Sequence, residues 1–292
     1  MAVATPSETA PFQALDFGLL LTAAGIWGSS FLLMAIGLDA FHPGLVTLLR
    51  VGFGLVALWM FPSARTPVPR AAWGRIAVLG VVWLGLPLTL FPLAQQWIDS
   101  SITGMLNAGM SIMTVVVAAL VFGTPTSGLK LGGVMVGLIG IAAIGIPTAS
   151  AGNTNALGVV LILGAVLSYG FAANLAGPLQ REYGAVAVVA RALLAASVVV
   201  LPFGLYGATQ SSFATGPLVA CIALGAGGTG IAYVAGAMLS GRVGAVRMSV
   251  TTYLIPVVSA ALGVAFRDEV IGAFAIIGTV VVLVGAFLTT RG

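Results

Sequence analysis

NAGMSIMTVVVAALVF at residues 107–122 returns in outline as SVTTYLIPVVSAALGV at 249–264, with Thr114 opposite Pro256. The spacing, close to 142 residues, also separates Trp27–Gly28 from Tyr169–Gly170. Arg50 falls opposite Arg191, one residue out of step. Runs of Ala, Val, Leu and Gly resemble one another cheaply. A constant offset through several segments, with an arginine at matching places, lifts this likeness above composition. The chain therefore reads as two copies of one unit, residues 1–150 and 151–292, divided at the small polar stretch ASAGNTN (149–155).

Each copy is built for lipid. Of 292 residues 60% are hydrophobic and 6% charged, against about 25% charged in a soluble domain. Such a chain cannot cover itself with a water-facing surface. Ten apolar runs near 16–37, 44–62, 73–95, 101–122, 130–147, 156–177, 186–206, 214–236, 245–266 and 270–289 approach the roughly 20 residues that span a bilayer. They are continuous rather than alternating, which predicts helices and not barrel strands. The N-terminal MAVATPSETAPFQALD has no Lys or Arg, unlike a signal peptide, so the first run is expected to stay as a span.

With the N-terminus in the cytoplasm, Arg65, Arg70, Arg75, Lys130, Arg181, Arg242, Arg247 and Arg291 fall inside and only Arg267 outside. That asymmetry obeys the positive-inside rule and places both termini in the cytoplasm. The basic residues are too scattered to bind nucleic acid. Five spans per copy is an odd number, so the second copy enters the membrane inverted. The expected fold is all-α: ten transmembrane helices as two inverted five-helix repeats around a central cavity. Inverted repeats of this kind suit alternating access, with the substrate held near midplane between the halves.

Polar side chains nominate the walls of that cavity. Thr103, Asn107, Ser111 and Thr114 share one face of the fourth span, and Ser249, Thr252, Pro256 and Ser259 repeat the stripe in the ninth. Such residues also bond their own helix carbonyls or glue helices together, and both readings stand for the stripes. Asn107 needs most partners. Gln95 ends the third span, while Trp27, Tyr169 and Tyr233 lie deep in theirs, where aromatics either pack or face a substrate. Trp83 reads as packing, as does the Gly133/Gly137 pair. Arg50 and Arg191 read as structural residues toward helix ends, with substrate binding as the minority reading.

Absences narrow the chemistry. Cys221 and His42 are the only residues of their kinds, so no Cys/His metal site or catalytic pair forms within one chain. No Asp or Glu lies within the middle of a span, which argues against a carboxylate proton relay. No catalytic residue, metal or cofactor is expected. Amide, hydroxyl and aromatic walls suit a neutral or zwitterionic amphipathic solute.

Trp27–Gly28–Ser29–Ser30, Arg50, and YLIPVVSAALGVAFRDEVIGAFAIIGTVVVLVGAFL at 253–288 resemble the EamA type of drug/metabolite transporter over nearly the whole chain. Within that family the chain is most similar to bacterial exporters of aromatic and other amino acids. The first copy departs from the pattern, with Thr114 at the usual proline and Ser127 at the usual acid. The resemblance implies export of small amphipathic metabolites by a multi-pass inner-membrane carrier, and it adds Ser30 to the candidate substrate residues. Other cargo (nucleotide sugars, phosphorylated sugars, drugs) and a passive pore or structural subunit are the alternatives. A small-molecule substrate, membrane lipid and a monomeric state are the expected partners and assembly.

Overall fold

The computed structural model describes residues 13–152, 154–244, 248 and 250–291. Among them the chain forms ten apolar helices: α1 (Ala14–Leu38), α2 (Pro43–Trp59), α3 (Arg70–Ala94), α4 (Ser100–Leu120), α5 (Gly128–Ser150), α6 (Asn155–Tyr183), α7 (Ala185–Thr209), α8 (Thr215–Val243), α9 (Val250–Arg267) and α10 (Ala273–Arg291). Nine are long and apolar enough to cross a membrane, and α2 is shorter at 17 residues. In hydrocarbon each segment must satisfy its own backbone, which a helix does and an irregular chain cannot. The helices start where the sequence supplies acceptors. Gln13 and Asp16 form a capping box on α1, His42 accepts from Gly44 N ahead of Pro43 on α2, and Ser127 accepts from Lys130 N on α5.

Short connections make successive helices antiparallel. Asp39, His42, Gln95, Gln210 and Ser212, from three different connections, meet Arg267 at the end of α9 around one cleft on one face of the bundle. On the opposite face Asp16 pairs with Arg242. There Arg191 also donates to the carbonyls of Ala64 (3.1 Å), Thr66 (2.7 Å) and Ala187 (3.0 Å), tying α7 to the turn between α2 and α3.

Helix pairing maps onto itself when each helix is exchanged for the one five places along. Thus α1 packs on α8 and α9 while α6 packs on α3 and α4, and α2 with α7, α4 with α9 and α5 with α10 pair across the exchange. Side chains follow the same exchange. A Cβ on Gly28 would strike Val258 and the Ile255 carbonyl on α9, and one on Gly170 would strike the Met113 carbonyl on α4. Ile255 lies 142 residues beyond Met113, as Gly170 does beyond Gly28. Between α5 and α10, Gly133 and Gly140 face the backbone at Gly285 and Gly278. Lipid gives helices no hydrophobic reason to associate, so small residues that let backbones close in supply the contact.

Candidate functional site

Two aromatic groups occupy the interior. Tyr233 of α8 meets Trp27 of α1 edge-on at 5.9 Å between centroids, and Trp83 of α3 edge-on at 5.3 Å. Tyr169 of α6 meets Phe91 of α3 at 5.8 Å, and Phe91 meets Phe31 of α1 at 5.7 Å. The offset that relates Trp27 to Tyr169 also relates Phe91 to Tyr233. Each pair joins one half of the chain to the other, and the two pairs are counterparts. Trp27, Trp83, Tyr169 and Tyr233 are only half-buried, leaving ring edges available. Trp83, expected as packing, packs edge-on against Tyr233.

Local backbone shape places these rings. In α3 the segment Val81–Gly85 and in α8 the segment Ala223–Ile231 are wound as wider π turns, a distortion common at functional sites. They begin 142 residues apart. Trp83 lies in the first. The second exposes the Gly228 carbonyl to Trp27 Nε1 (3.2 Å) and sets Thr229 beside α2. Gly54 and Gly225 let α2 and α8 close, since a Cβ on either would meet the other helix.

Arg50 lies midway along α2, not at a helix end, and is 7% exposed. Its Nε donates to Thr229 Oγ1 at 3.2 Å. Tyr169, Tyr233 and Cys221 lie within electrostatic reach of its guanidinium. Its repeat counterpart Arg191 is instead held by three carbonyls, as a structural reading of that residue requires.

The cleft on the loop face has a volume of about 560 Å³ and is lined by Gln95, Gln96, His42, Gln210 and the exposed Asp39–Arg267 pair, among others. Gln95 Nε2 donates to the Phe31 carbonyl at 3.3 Å, whereas its buried Oε1 has no donor. The Phe31–Phe91–Tyr169 group is thus linked through Phe31 to the cleft lining. Beside the cleft, Glu269 caps α4. Its carboxylate accepts from Ser100 N (2.9 Å), Ser100 Oγ (2.7 Å) and Ser101 N (2.8 Å). Burial alone would raise the Glu269 carboxyl, but the bonds from Ser101 and Ser100 outweigh it and hold the group below the usual range. Burial and then the Glu269 charge push Asp99 up.

The other candidates divide. Ser30 is buried and donates to the Ile26 carbonyl of its own helix at 2.9 Å, facing Gly228 beside the Trp27 contact. Asn107 is buried with Oδ1 lacking a donor, at the break that separates Ser100–Asn107 from Met110–Leu120 within α4. Ser111 and Thr252 are half-buried on α4 and α9, and Ser249 lies outside the described residues. Within the stripes, Thr103 and Thr114 bond carbonyls of their own helix, and Ser259 donates to Ser100 O across the α4–α9 contact. Helix bonding and helix gluing therefore account for those three. Asn174 was not among the sequence candidates. It bonds the carbonyls of Thr114 and Gly170 (3.0 and 2.9 Å), and its amide one turn beyond Gly170 on α6 was the available signal.

Ten apolar helices around an aromatic interior define a multi-pass helical membrane protein. The profile of the EamA-like transporter family matches the chain twice, over residues 17–146 and 156–291. The chain belongs to that family. A probable terminal-alkyne amino-acid exporter of Streptantibioticus cattleyicolor is 26% identical over 282 residues, covering 94% of this chain and 93% of that protein. The uncharacterised inner membrane transporter YedA of Escherichia coli K12 is 28% identical over 63% of this chain and 60% of its own length. One solved crystal structure superposes with a TM-score of 0.66 at 20% identity, covering 96% of this chain and 98% of that one, a likeness of fold alone.

Proposed function

We propose that this protein is a secondary carrier that exports small amphipathic metabolites, amino acids with aromatic side chains among them, by alternating access. The observation that carries this reading is the matched pair of half-to-half ring contacts, Trp27–Tyr233 and Tyr169–Phe91. Residues 1–150 and 151–292 act as inverted halves, and exchanging their conformations would break one ring pair's contacts as its counterpart's tighten. The interior then opens to alternate sides of the membrane. In the present conformer the cleft at Gln95 forms the mouth. Trp27, Ser30, Tyr169 and Tyr233 pack on the apolar body of the solute, and the unpaired amide oxygens of Gln95 and Asn107 accept from its ammonium. Ser111 and Thr252 line the opposite wall.

Charge asymmetry supports a cytoplasmic-membrane setting with both termini inside, and a single chain surrounded by lipid is sufficient for the cycle. The amino-acid cargo is supported by the S. cattleyicolor relative, a probable terminal-alkyne amino-acid exporter. The test is counterflow in proteoliposomes with labelled L-phenylalanine and L-tryptophan. Saturable exchange that falls at least about tenfold in Tyr233→Ala and Tyr169→Ala, with folded yield retained, is the expected result. Linear, non-saturating flux refutes the carrier, and unchanged flux in both variants refutes the site.

A further inference from the structure

We infer that Arg50 is the anchor for a carboxylate on the transported solute, an assignment that rests on the carrier reading above and names the charge its substrate must bear. Arg50 sits at the middle of α2 and is more than nine-tenths buried. Its one hydrogen bond among the described residues, Nε to Thr229 Oγ1, fixes the plane of the guanidinium and uses one of five N–H groups. Neither Nη donates to a described residue, and neither is sealed from solvent-sized space, as Arg191 Nε is. The free edge of the fork therefore opens into the interior that also holds Tyr169 and Tyr233.

No acid among the described residues is placed to pair with it. Among the described residues Asp16 pairs with Arg242, Asp39 pairs with Arg267, and Glu269 caps α4. Asp99, Glu182 and Asp268 lie at helix ends or connections. A guanidinium in hydrocarbon costs roughly 2.5–3.5 kcal/mol on insertion scales, and the chain compensates it with a single neutral hydroxyl. Arg191 marks the contrast, because three backbone carbonyls engage both of its Nη groups and leave no free edge of the fork for a ligand. Two free Nη groups match the two oxygens of a carboxylate in a bidentate pair. One cation balances one negative charge. A phosphomonoester, at about two charges, would need a second cation beside Arg50, and among the described residues the other buried arginine, Arg191, is engaged by the carbonyls of Ala64, Thr66 and Ala187.

The test uses two probe pairs, L-phenylalanine with L-phenylalaninamide and 3-phenylpropionate with 3-phenylpropionamide. Binding is measured by calorimetry on the detergent-solubilised full chain. Wild type should prefer the acid of each pair by about ten- to a hundredfold, the range of a charge-assisted bidentate contact. Arg50→Gln should bring that ratio to about one while amide binding persists. Arg50→Lys keeps the charge without the fork and should retain part of the preference, which separates recognition from a folding defect. Thr229→Val, which frees the guanidinium to turn, should reduce the preference less than Arg50→Gln. Equal binding of acid and amide to wild type, a preference that survives Arg50→Gln, or no binding of any probe overturns the assignment. Discriminating binding without counterflow supports the anchor and overturns the carrier reading alone.

Discussion

Replacing Glu269 by Gln removes the charge that holds the start of α4, and the structure sets the size of the effect. Three donors converge on the carboxylate: Ser100 N, Ser100 Oγ and Ser101 N. A hydrogen bond to a charged group contributes roughly 1.5–3 kcal/mol, and a negative charge at a helix N-terminus adds about 0.3–1 kcal/mol. Gln keeps one oxygen for Ser100 but turns an NH2 toward Ser101 N. Partial exposure reduces each contribution, and loss of the neighbouring charge relieves Asp99. The expected net destabilisation is about 2–4 kcal/mol at neutral pH, or roughly 30- to 1,000-fold faster amide exchange at Ser101–Thr103. The pH dependence gives a second reading. Because the folded-state carboxyl of Glu269 is held below its unfolded value of 4.5, its contribution is present above that value and is lost as pH falls through the folded one. Asp99, shifted upward, has the opposite sign: its favourable contribution holds at low pH and disappears as pH rises. The gap between wild type and Glu269→Gln should therefore be widest at neutral pH and close below pH 4.5. Hydrogen exchange and thermal unfolding in detergent across pH 3–8, as an approximate working range, read both effects. A gap under about 0.5 kcal/mol at neutral pH, or one that widens on acidification, refutes the capping argument.

Arg191→Gln should destabilise the fold by about 2–4 kcal/mol by releasing the carbonyls of Ala64, Thr66 and Ala187, with acid-over-amide preference unchanged in the probe-binding assay. Gly28→Leu and Gly170→Leu should each cost about 1–3 kcal/mol or more, because an added Cβ would clash with the Val258 side chain at the first and the Met113 carbonyl at the second. Gly18→Ala, with nothing within 4 Å of the new Cβ, should be neutral or stabilising by up to about 1 kcal/mol; melting of the three purified variants checks the contrast. Asp39→Asn breaks the exposed pair with Arg267 and should cost under about 1 kcal/mol, with the difference fading in high salt.

Membrane residence, the number of helices and the equivalence of two halves were legible in the sequence, because each rests on a property carried along the chain. Hydrocarbon enforces runs of about 20 apolar residues, and a duplicated unit leaves its offset in Trp27/Tyr169 and Thr114/Pro256. Spacing alone could not rank the polar candidates. Thr103 and Thr114 look like cavity walls by period, yet bond their own carbonyls. The same depth in a span holds Arg50 and Arg191, and only their neighbours separate them: carbonyls of the α2–α3 turn fold over Arg191, while α8 brings Arg50 one hydroxyl from its wide-turn segment. Trp83 and Phe91 likewise gained their place from contacts with Tyr233 and Tyr169, residues distant in the sequence. Hydropathy and periodicity determine which segments enter lipid and which residues share a helix face. Whether a buried polar group is satisfied or left free depends on what another helix brings to it, and that was decided by tertiary packing.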